Sequence, residues 1–531
     1  MNKKREHIEF FAGCGGLALG MEAAGFHLKM ANEISPMASE TFAYNILGEE
    51  LNAGSEKVKW IHSGYDEKDI NRRLRENLLQ DKAFGFCDLT KDSDVTGSLL
   101  VGDIRKLKDF LFECPEILAQ IEGVDLISGG PPCQSFSLAG KRERRNYKNK
   151  LPLVFAELCG MLKPRIVLLE NVKGILAPFK ENGLYYHAWI EVSKAFALEG
   201  FVPVCMLINS KYFGIPQNRP RFIMTAIRKD VFDQLEAIIP SEVSRISKNF
   251  FALVTESSAD LNNIGISDFK YFNMESKSDI GYFDGNWLPR PLTLKESQWK
   301  SVNVAVDDLK DTGMKRMVND QSSDYVDFLG NLFNQHRMNA SEKEILNHEP
   351  RNHTSVVKSR FRYFQLLNKI NGTKASIIDY VSRIEEDAAL TKKISSLFES
   401  VQGEVVLMPN GNKVTLSSRA IWIKYLNSIK GSKKHSQKAL NSQFPAPAQL
   451  TIPDDMCHYD SDNPRVLTVR EMARIQSFPD WFVFKSKTTT GGKNRKFEVP
   501  QYTQVGNAVP PVLSYHLGRH ITGLLALIEQ D

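Results

Sequence analysis

Short apolar runs alternate with helix-like stretches along the first 230 residues of the chain. "HIEFFAG", "HLKMANE", "LLVGDI", "VDLISGG", "RIVLLENV", "FVPVCMLIN" and "RFIMTAIR" read as strands. "LALGMEAAGF", Leu151–Leu162 and Tyr185–Leu198 read as helices between them. Strands separated by helices predict βαβ units and a doubly wound, mostly parallel α/β sheet. Ligands on such sheets bind beyond the carboxyl ends of the strands, where the loops lie. The polar stretch Gly48–Ser98 interrupts the alternation and reads as an insertion on the sheet's rim.

From about Lys229 the rhythm stops. Gly281–Pro291 is loop-like, and residues 312–464 mix helical and strand-like pieces without βα alternation, which predicts a second, smaller domain. Within it, Asn410-Gly411 between "GEVVLMP" and "NKVTL" is a strong hairpin signal, and "KGSKKHSQK" is a basic loop. Further on, "LTVREMARIQSFP" carries a capping box, Thr468 with Glu471 three residues later.

Composition changes this picture little. The 531 residues are 42% hydrophobic and 25% charged, ordinary for globular protein. No apolar run is long enough for a transmembrane helix, and "MNKKREHIEF" lacks the apolar segment of a signal peptide. A cytoplasmic protein is expected. The seven cysteines are scattered without a C-x-x-C pair, which speaks against a disulfide framework and against a zinc site. A net charge of +5 permits a polyanionic partner without requiring one, so local clustering has to decide.

Candidate chemistry lies at the predicted strand ends. "FFAGCGGLALG" is a strand, a glycine turn and a helix, the arrangement that brings backbone N–H groups close to a ligand. Gly13-x-Gly15-x-x-Ala18 satisfies the relaxed dinucleotide fingerprint, with Glu33 as the ribose acceptor some twenty residues on. NAD and S-adenosylmethionine both offer that ribose, so the turn leaves the two open. Asp103 follows another strand and suits either an adenine amine or the N-cap of the next helix.

Cys133 follows "VDLISGG" in a loop stiffened by Pro131 and Pro132, with basic sequence after it. Such surroundings favour the thiolate by lowering the pKa below about 8.5. "KRERRNYKNK" has six basic residues against one acid and suits a phosphate backbone, although a solvated face would read alike. Glu170 ends a predicted strand on the same rim, as a proton-handling group or as a cap for the next helix. Arg219 and Arg221 sit two apart in "GIPQNRPRF", placed on one strand face, and their forks suit phosphate or carbonyl recognition.

In their order, "FAGCGG", "NE" at 32–33, "GDI", "GGPPCQSFSLAGKR", "ENV", "QNRPR", "LTVREMARIQSFP" and "QVGNAVPP" resemble the motifs of the DNA (cytosine-5)-methyltransferases. The resemblance covers Ile8–Ile227 and Val466–Leu525. It implies a Rossmann-like S-adenosylmethionine methyltransferase sheet over residues 1–311, with 48–98 inserted, and a variable target recognition domain at 312–464. A hinge segment at 465–499 and a C-terminal segment at 500–531 returning to the catalytic domain complete the implied organisation. It further implies Cys133 as the nucleophile on cytosine C6, Glu170 at N3 and the exocyclic amine, and Arg219 and Arg221 holding the base and the catalytic loop.

For the cofactor it implies Phe11, Gly13 and Gly15 on the methionine side, Glu33 at the ribose, and Asp103 with Ile104 at the adenine. Pro132, Asn507 and Val509 line the same pocket. Gln134, Ser137, Lys141, Arg142, Arg144 and Arg145 map to the loop that closes on DNA. S-adenosylmethionine is the implied cofactor, no metal is needed, and double-stranded DNA is the implied partner of a monomer, associated with the nucleoid when DNA is bound. A cognate restriction endonuclease acting on the same site is a further implied partner, and no membrane is involved. Cys14 departs from the commoner apolar residue and is a candidate for oxidation.

Rival readings explain less. A NAD-linked oxidoreductase accounts for the glycine turn but not for Pro-Pro-Cys, the basic loop or the C-terminal motifs. A tRNA methyltransferase of the same fold carries a Cys-Phe-Thr signature that is missing here. A catalytically silent DNA-binding regulator is expected to lose the cysteine or the glutamate, and both are present.

Overall fold

All seven predicted runs form strands, and residue alternation within them feeds two separate cores. In chain order the main-sheet strands are β1 Arg5–Phe10, β2 Phe26–Glu33, β3 Val58–Trp60, β4 Ser98–Val101, β5 Leu126–Gly129, β6 Ile166–Val172, β7 Phe201–Asn209, β8 Pro220–Arg228 and β9 Phe272–Asn273. The computed structural model describes residues 4–79, 85–132, 150–181, 184–256, 261–311, 317–318, 323–339, 343–370, 397–429, 437–453, 456–492, 494 and 497–529. Cys133, Gln134, Ser137, Lys141, Arg142, Arg144 and Arg145 lie outside the described residues.

The strands form one sheet in the order β9-β7-β8-β6-β5-β1-β2-β4-β3. β1 pairs in parallel with β2 and β5, and β5 in parallel with β6, whereas β8 is antiparallel to β6 and β7. Ile166 and Leu168 of β6 point into one core, Val167 and Leu169 into the other. That two-sided burial is what a doubly wound sheet requires. The chain leaves β1 toward β2 on one side and returns as β5 on the other. The crevice between their carboxyl ends is therefore the topological switch point.

The stretch 48–98 does more than decorate the rim. Val58–Trp60 pairs with β4 as the edge strand, too short and too polar in context to stand out as a strand. Behind it Arg73 is buried, forks onto the Asp88 carboxylate at 2.8 and 2.9 Å, and lies over the Trp60 ring.

The helices that position the site are α1 Gly16–Ala23, α2 Ile104–Glu113, α3 Leu151–Leu162, α4 Ala188–Leu198, α5 Val469–Ile475, α6 Gln501–Asn507 and α7 Pro511–Leu527. The C-terminal α7 packs along α1, and two glycines allow the approach. A Cβ on Gly20 would stand 2.3 Å from the Pro511 carbonyl oxygen, and one on Gly518 would stand 2.6 Å from Ala24 Cβ. Glu529 then ties the chain end to Arg5 and Arg165.

The middle stretch has a core of its own. Helices Ser355–Leu367 and Arg419–Ser428 bury Phe361, Phe364, Trp422 and Tyr425 together with Val406 of the hairpin. The hairpin forms as Asn410-Gly411 predicts, with Val405–Leu407 antiparallel to Lys413–Thr415 and Gly411 at φ 93°. Among the described residues no helix is long and apolar enough to cross a membrane.

Candidate active site

At the switch point a cavity of about 330 Å³ opens between β1, β5, β6 and α6. The turn after β1 forms its floor. Phe11 and Gly13 both take φ 56° and Gly15 φ 93°, so the chain doubles back before α1 without any side-chain cap. Gly16 has no room for a side chain, because a Cβ would meet the Val509 carbonyl oxygen at 2.5 Å.

Glu33 closes this floor. Its carboxylate accepts from the Gly13 and Ser35 amides, each at 2.8 Å, which fixes the turn to the end of β2. Burial raises its pKa despite those hydrogen bonds. One strand over, Asp103 caps α2, accepting from the Arg105 amide at 2.9 Å while the Arg105 guanidinium forks onto it. Burial pulls the Asp103 pKa up, but the Arg105 interactions prevail and lower it. Asp103 and Ile104 stand beside the cavity, next to Glu33 through the hydrogen bond from the Gly102 amide to the Glu33 carbonyl oxygen, rather than in its wall.

The opposite wall comes from the ends of β5 and β6. Gly129 is needed because a Cβ there would lie 2.9 Å from the Phe10 carbonyl oxygen, and Gly130 leaves space for the Glu170 carboxylate, 3.2 Å from its ideal Cβ. Asn171 Nδ2 donates to the Pro131 carbonyl oxygen at 3.0 Å, fastening the proline loop to β6. Pro132 and Glu170 both line the cavity. Antiparallel pairing sets Arg221 against Val172, and Arg221 Nε meets Glu170 Oε1 at 2.7 Å in a buried ion pair.

Arg219, two residues before Arg221, lies near enough to Glu170 and Arg221 to feel both charges. It precedes β8 and is fully buried. Its guanidinium donates to the carbonyl oxygens of Gly506 at 2.9 Å, Ala508 at 3.1 Å and Gln449 at 3.4 Å. Burial and the neighbouring Arg221 lower its pKa. Its geometry is that of a brace that holds Asn507 and Val509 in the cavity wall, where both are found.

The lining residues not anticipated from the sequence include Glu9, Asn171, Gln504 and the buried Cys14 as a wall residue. Gln504 accepts from Thr41 and donates to the carbonyl oxygens of Met37 and Val499, so α6 is tied to both sides of the pocket. Its signal was its place one helical turn before Asn507. Glu9 is 2% exposed and its Oε2 has no hydrogen-bond partner; an acid inside "HIEFF" was the visible signal. The Cys14 thiol is 3% exposed and burial pushes its pKa up to about 12, which removes the expected oxidation sensitivity.

Burial, and then the charge of Glu33, raise the Glu9 pKa well above its ordinary 4.5. The fold therefore holds a proton that the unfolded chain releases, and stability from this group falls as pH rises above about 4.5. Glu9→Gln is expected to raise the melting temperature of the ligand-free protein relative to wild type near about pH 8, with the gain shrinking toward about pH 5. A pH-independent difference in thermal melts would contradict this.

A family model described as "C-5 cytosine-specific DNA methylase" matches residues 6–67 and 96–523. The chain belongs to the C-5 cytosine-specific DNA methylases. The match skips the middle of the 48–98 segment and runs through the second core. Among curated relatives, the type II methyltransferase M.DdeI of Desulfomicrobium norvegicum is 24% identical over 97% of this chain and 88% of its own. M.XorII of Xanthomonas oryzae pv. oryzae is 24% identical over 97% of this chain and 84% of its own. M.NaeI of Lentzea aerocolonigenes is 30% identical over 42% of this chain and 40% of its own. Among the described residues the cavity lining presents Glu9, Glu33 and Glu170 and no lysine, arginine or histidine.

Proposed function

We propose that this C-5 cytosine methylase transfers the methyl group of S-adenosylmethionine to C5 of a cytosine in a specific double-stranded DNA sequence, as the modification half of a restriction–modification pair. One observation carries the reading: the glycine turn, Glu33, Pro132 and Glu170, which Arg221 pairs from behind the lining, face one cavity at the switch point. The acidic lining supports a cationic sulfonium and ammonium and disfavours the pyrophosphate of a nicotinamide dinucleotide. The names of the relatives, all type II methyltransferases, support the restriction–modification setting.

In this reading Phe11, Gly13 and Gly15 hold the methionine end, Glu33 the ribose, and Asp103 with Ile104 the adenine, while Asn507 and Val509 close the pocket. When bound, S-adenosylmethionine supplies an electrophilic methyl carbon, whose bond to sulfur breaks with the pair left on sulfur as S-adenosylhomocysteine. The target cytosine is flipped out of the duplex, at a cost of a few kcal/mol. Cys133, the covalent neighbour of Pro132, adds its thiolate sulfur to C6, and the C5–C6 π pair moves onto C5. Glu170 holds a proton at N3 and accepts from the exocyclic amine, while Arg221 fixes its carboxyl group. After C5 has taken the methyl group, solvent removes the C5 proton. That bonding pair restores the C5–C6 double bond and expels the thiolate.

Gln134, Ser137, Lys141, Arg142, Arg144 and Arg145 bind the DNA backbone in this reading. Charge-neutral substitutions across residues 141–150 are expected to flatten the salt dependence of DNA binding, by roughly 0.9 log units for each phosphate no longer neutralised. An unchanged slope would return the tract to a solvated face. Bisulfite sequencing of DNA from cells that express the protein tests the function as a whole. One recurrent sequence with protected cytosines is expected, and the absence of any protected site overturns the proposal.

A further inference from the structure

The acid expected to receive the adenine amine is already taken by a side chain of the protein itself. Asp103 follows β4, its side chain is 8% exposed, and Arg105 places four hydrogen bonds on its carboxylate. Oδ1 accepts from the Arg105 amide at 2.9 Å and from Arg105 Nε at 3.0 Å. Oδ2 accepts from Nε at 3.1 Å and from Nη2. An ionised carboxylate offers about four lone-pair positions, so Arg105 alone saturates it. While the fork is in place, an adenine amine finds no acceptor on Asp103.

The two partners of this ion pair are held very differently. Asp103 is pinned through its main chain. Its amide donates to His62 Nδ1 at 3.5 Å. The preceding Gly102 donates to the Glu33 carbonyl oxygen at 2.9 Å, and its own carbonyl oxygen accepts from Asn32 Nδ2 at 3.1 Å. A Cβ on Gly102 would stand 2.2 Å from Ile61 Cγ1 and 2.8 Å from His62 Nδ1, so the residues after β3 close over this strand end. Arg105 is the second residue of α2, and its side chain is 45% exposed on a long unbranched stem. The hydrogen bond from its amide to Asp103 survives any rotation of that stem. The carboxylate therefore stays, and the guanidinium is the group that can leave for water.

We infer that Arg105 is a latch on the adenine end of the cofactor site: its guanidinium holds the Asp103 carboxylate in the ligand-free protein and leaves it when the adenine amine binds. No covalent bond changes. The guanidinium N–H groups pass from the carboxylate to water, and an amine N–H takes their place. Only the unlatched fraction of the protein offers its acceptor, and the apparent affinity for S-adenosylmethionine is lowered by that fraction. The inference rests on Asp103 being the adenine acceptor of the proposed function, and the two fail separately.

Titration calorimetry of the full chain with S-adenosylmethionine, and with adenosine as an uncharged probe, tests the latch. Arg105→Met keeps the stem and the helix amide and removes the fork. It is expected to bind both ligands about fivefold more tightly than wild type, the worth of a half-exposed ion pair that no longer has to be broken. A gain in affinity also separates the latch from a folding defect, which weakens binding. Asp103→Ser keeps an N-cap oxygen and loses the carboxylate, and is expected to weaken both ligands. In that background Arg105→Met is expected to change neither affinity. A gain that persists there arises from something other than release of Asp103, such as removal of a positive charge near a cationic ligand, and overturns the latch. Wild-type or weaker binding by Arg105→Met alone overturns it equally. Wild-type binding by Asp103→Ser overturns the adenine assignment and the latch with it, whereas weakened binding by Asp103→Ser without a gain in Arg105→Met removes only the latch.

Discussion

Cys133→Ala is expected to abolish methyl transfer, a fall on the order of 10⁴-fold or more, while S-adenosylmethionine binding stays near that of wild type. The size comes from the chemistry. Cytosine C5 carries too little electron density to attack a methyl group until a nucleophile has added at C6, so no partial route survives loss of the thiolate. The separation from cofactor binding comes from the architecture: the described cavity wall ends at Pro132, and its floor is built by the turn after β1 and by Glu33. Duplex DNA with 5-fluorocytosine at the target position provides the sharper measurement, because fluorine at C5 cannot leave as a proton does. Wild type is expected to form a complex with this DNA that survives denaturation, and Cys133→Ala to form none. Equal trapping by the two proteins would remove Cys133 from the mechanism. The same assay distinguishes Glu170→Gln, which is expected to trap slowly because the thiolate remains while the proton at N3 is lost.

Seven of the nine strands were legible because each of them is a short apolar run ended by turn residues, a pattern set by burial on both faces. β3 was not legible: three residues in a polar stretch carry no periodicity, and only pairing with β4 makes Val58–Trp60 a strand. The cavity residues divide in the same way. Phe11, Gly13 and Glu33 stand in or next to motifs whose glycines the backbone needs. For Arg219 the sequence showed the residue and not its partners, because a guanidinium in sequence looks the same whether it faces a ligand or three main-chain carbonyls. Glu9 escaped because its effect depends first on burial and then on Glu33, 24 positions later in the chain and brought close by the parallel pairing of β1 with β2. Gly20 and Gly518 are a similar case: neither reads as a packing position until α7 lies on α1.

Glu471→Gln is expected to destabilise the protein by roughly 3–5 kcal/mol, the cost of leaving a buried guanidinium without its counter-ion. Glu471 stands at the third position of α5, and its carboxylate accepts from the Thr468 amide at 2.8 Å while Thr468 Oγ1 accepts from the Glu471 amide at 3.2 Å. That is the capping box visible in the sequence, but here it is buried and carries a second load. Arg465 forks onto both carboxylate oxygens at 2.7 and 2.6 Å, and His458 Nε2 stands 3.6 Å away. His458 and Arg465 belong to the segment that leaves the middle core, so this one carboxylate joins that core to the helix packed under the active site. Burial opposes ionisation of Glu471, yet Arg465 and then His458 hold its pKa below the ordinary 4.5. A depressed folded pKa gives stability that is present above about 4.5 and lost as pH falls through the lower folded value. The deficit of Glu471→Gln is therefore expected to be full at neutral pH and to shrink in acid, as the wild type loses the same ion pair. Chemical denaturation at two pH values measures this, and Arg465→Met in the Glu471→Gln background is expected to recover much of the loss. A deficit under about 1 kcal/mol, or no recovery in the double variant, would show that the junction is held by packing around α5 rather than by the buried charge pair.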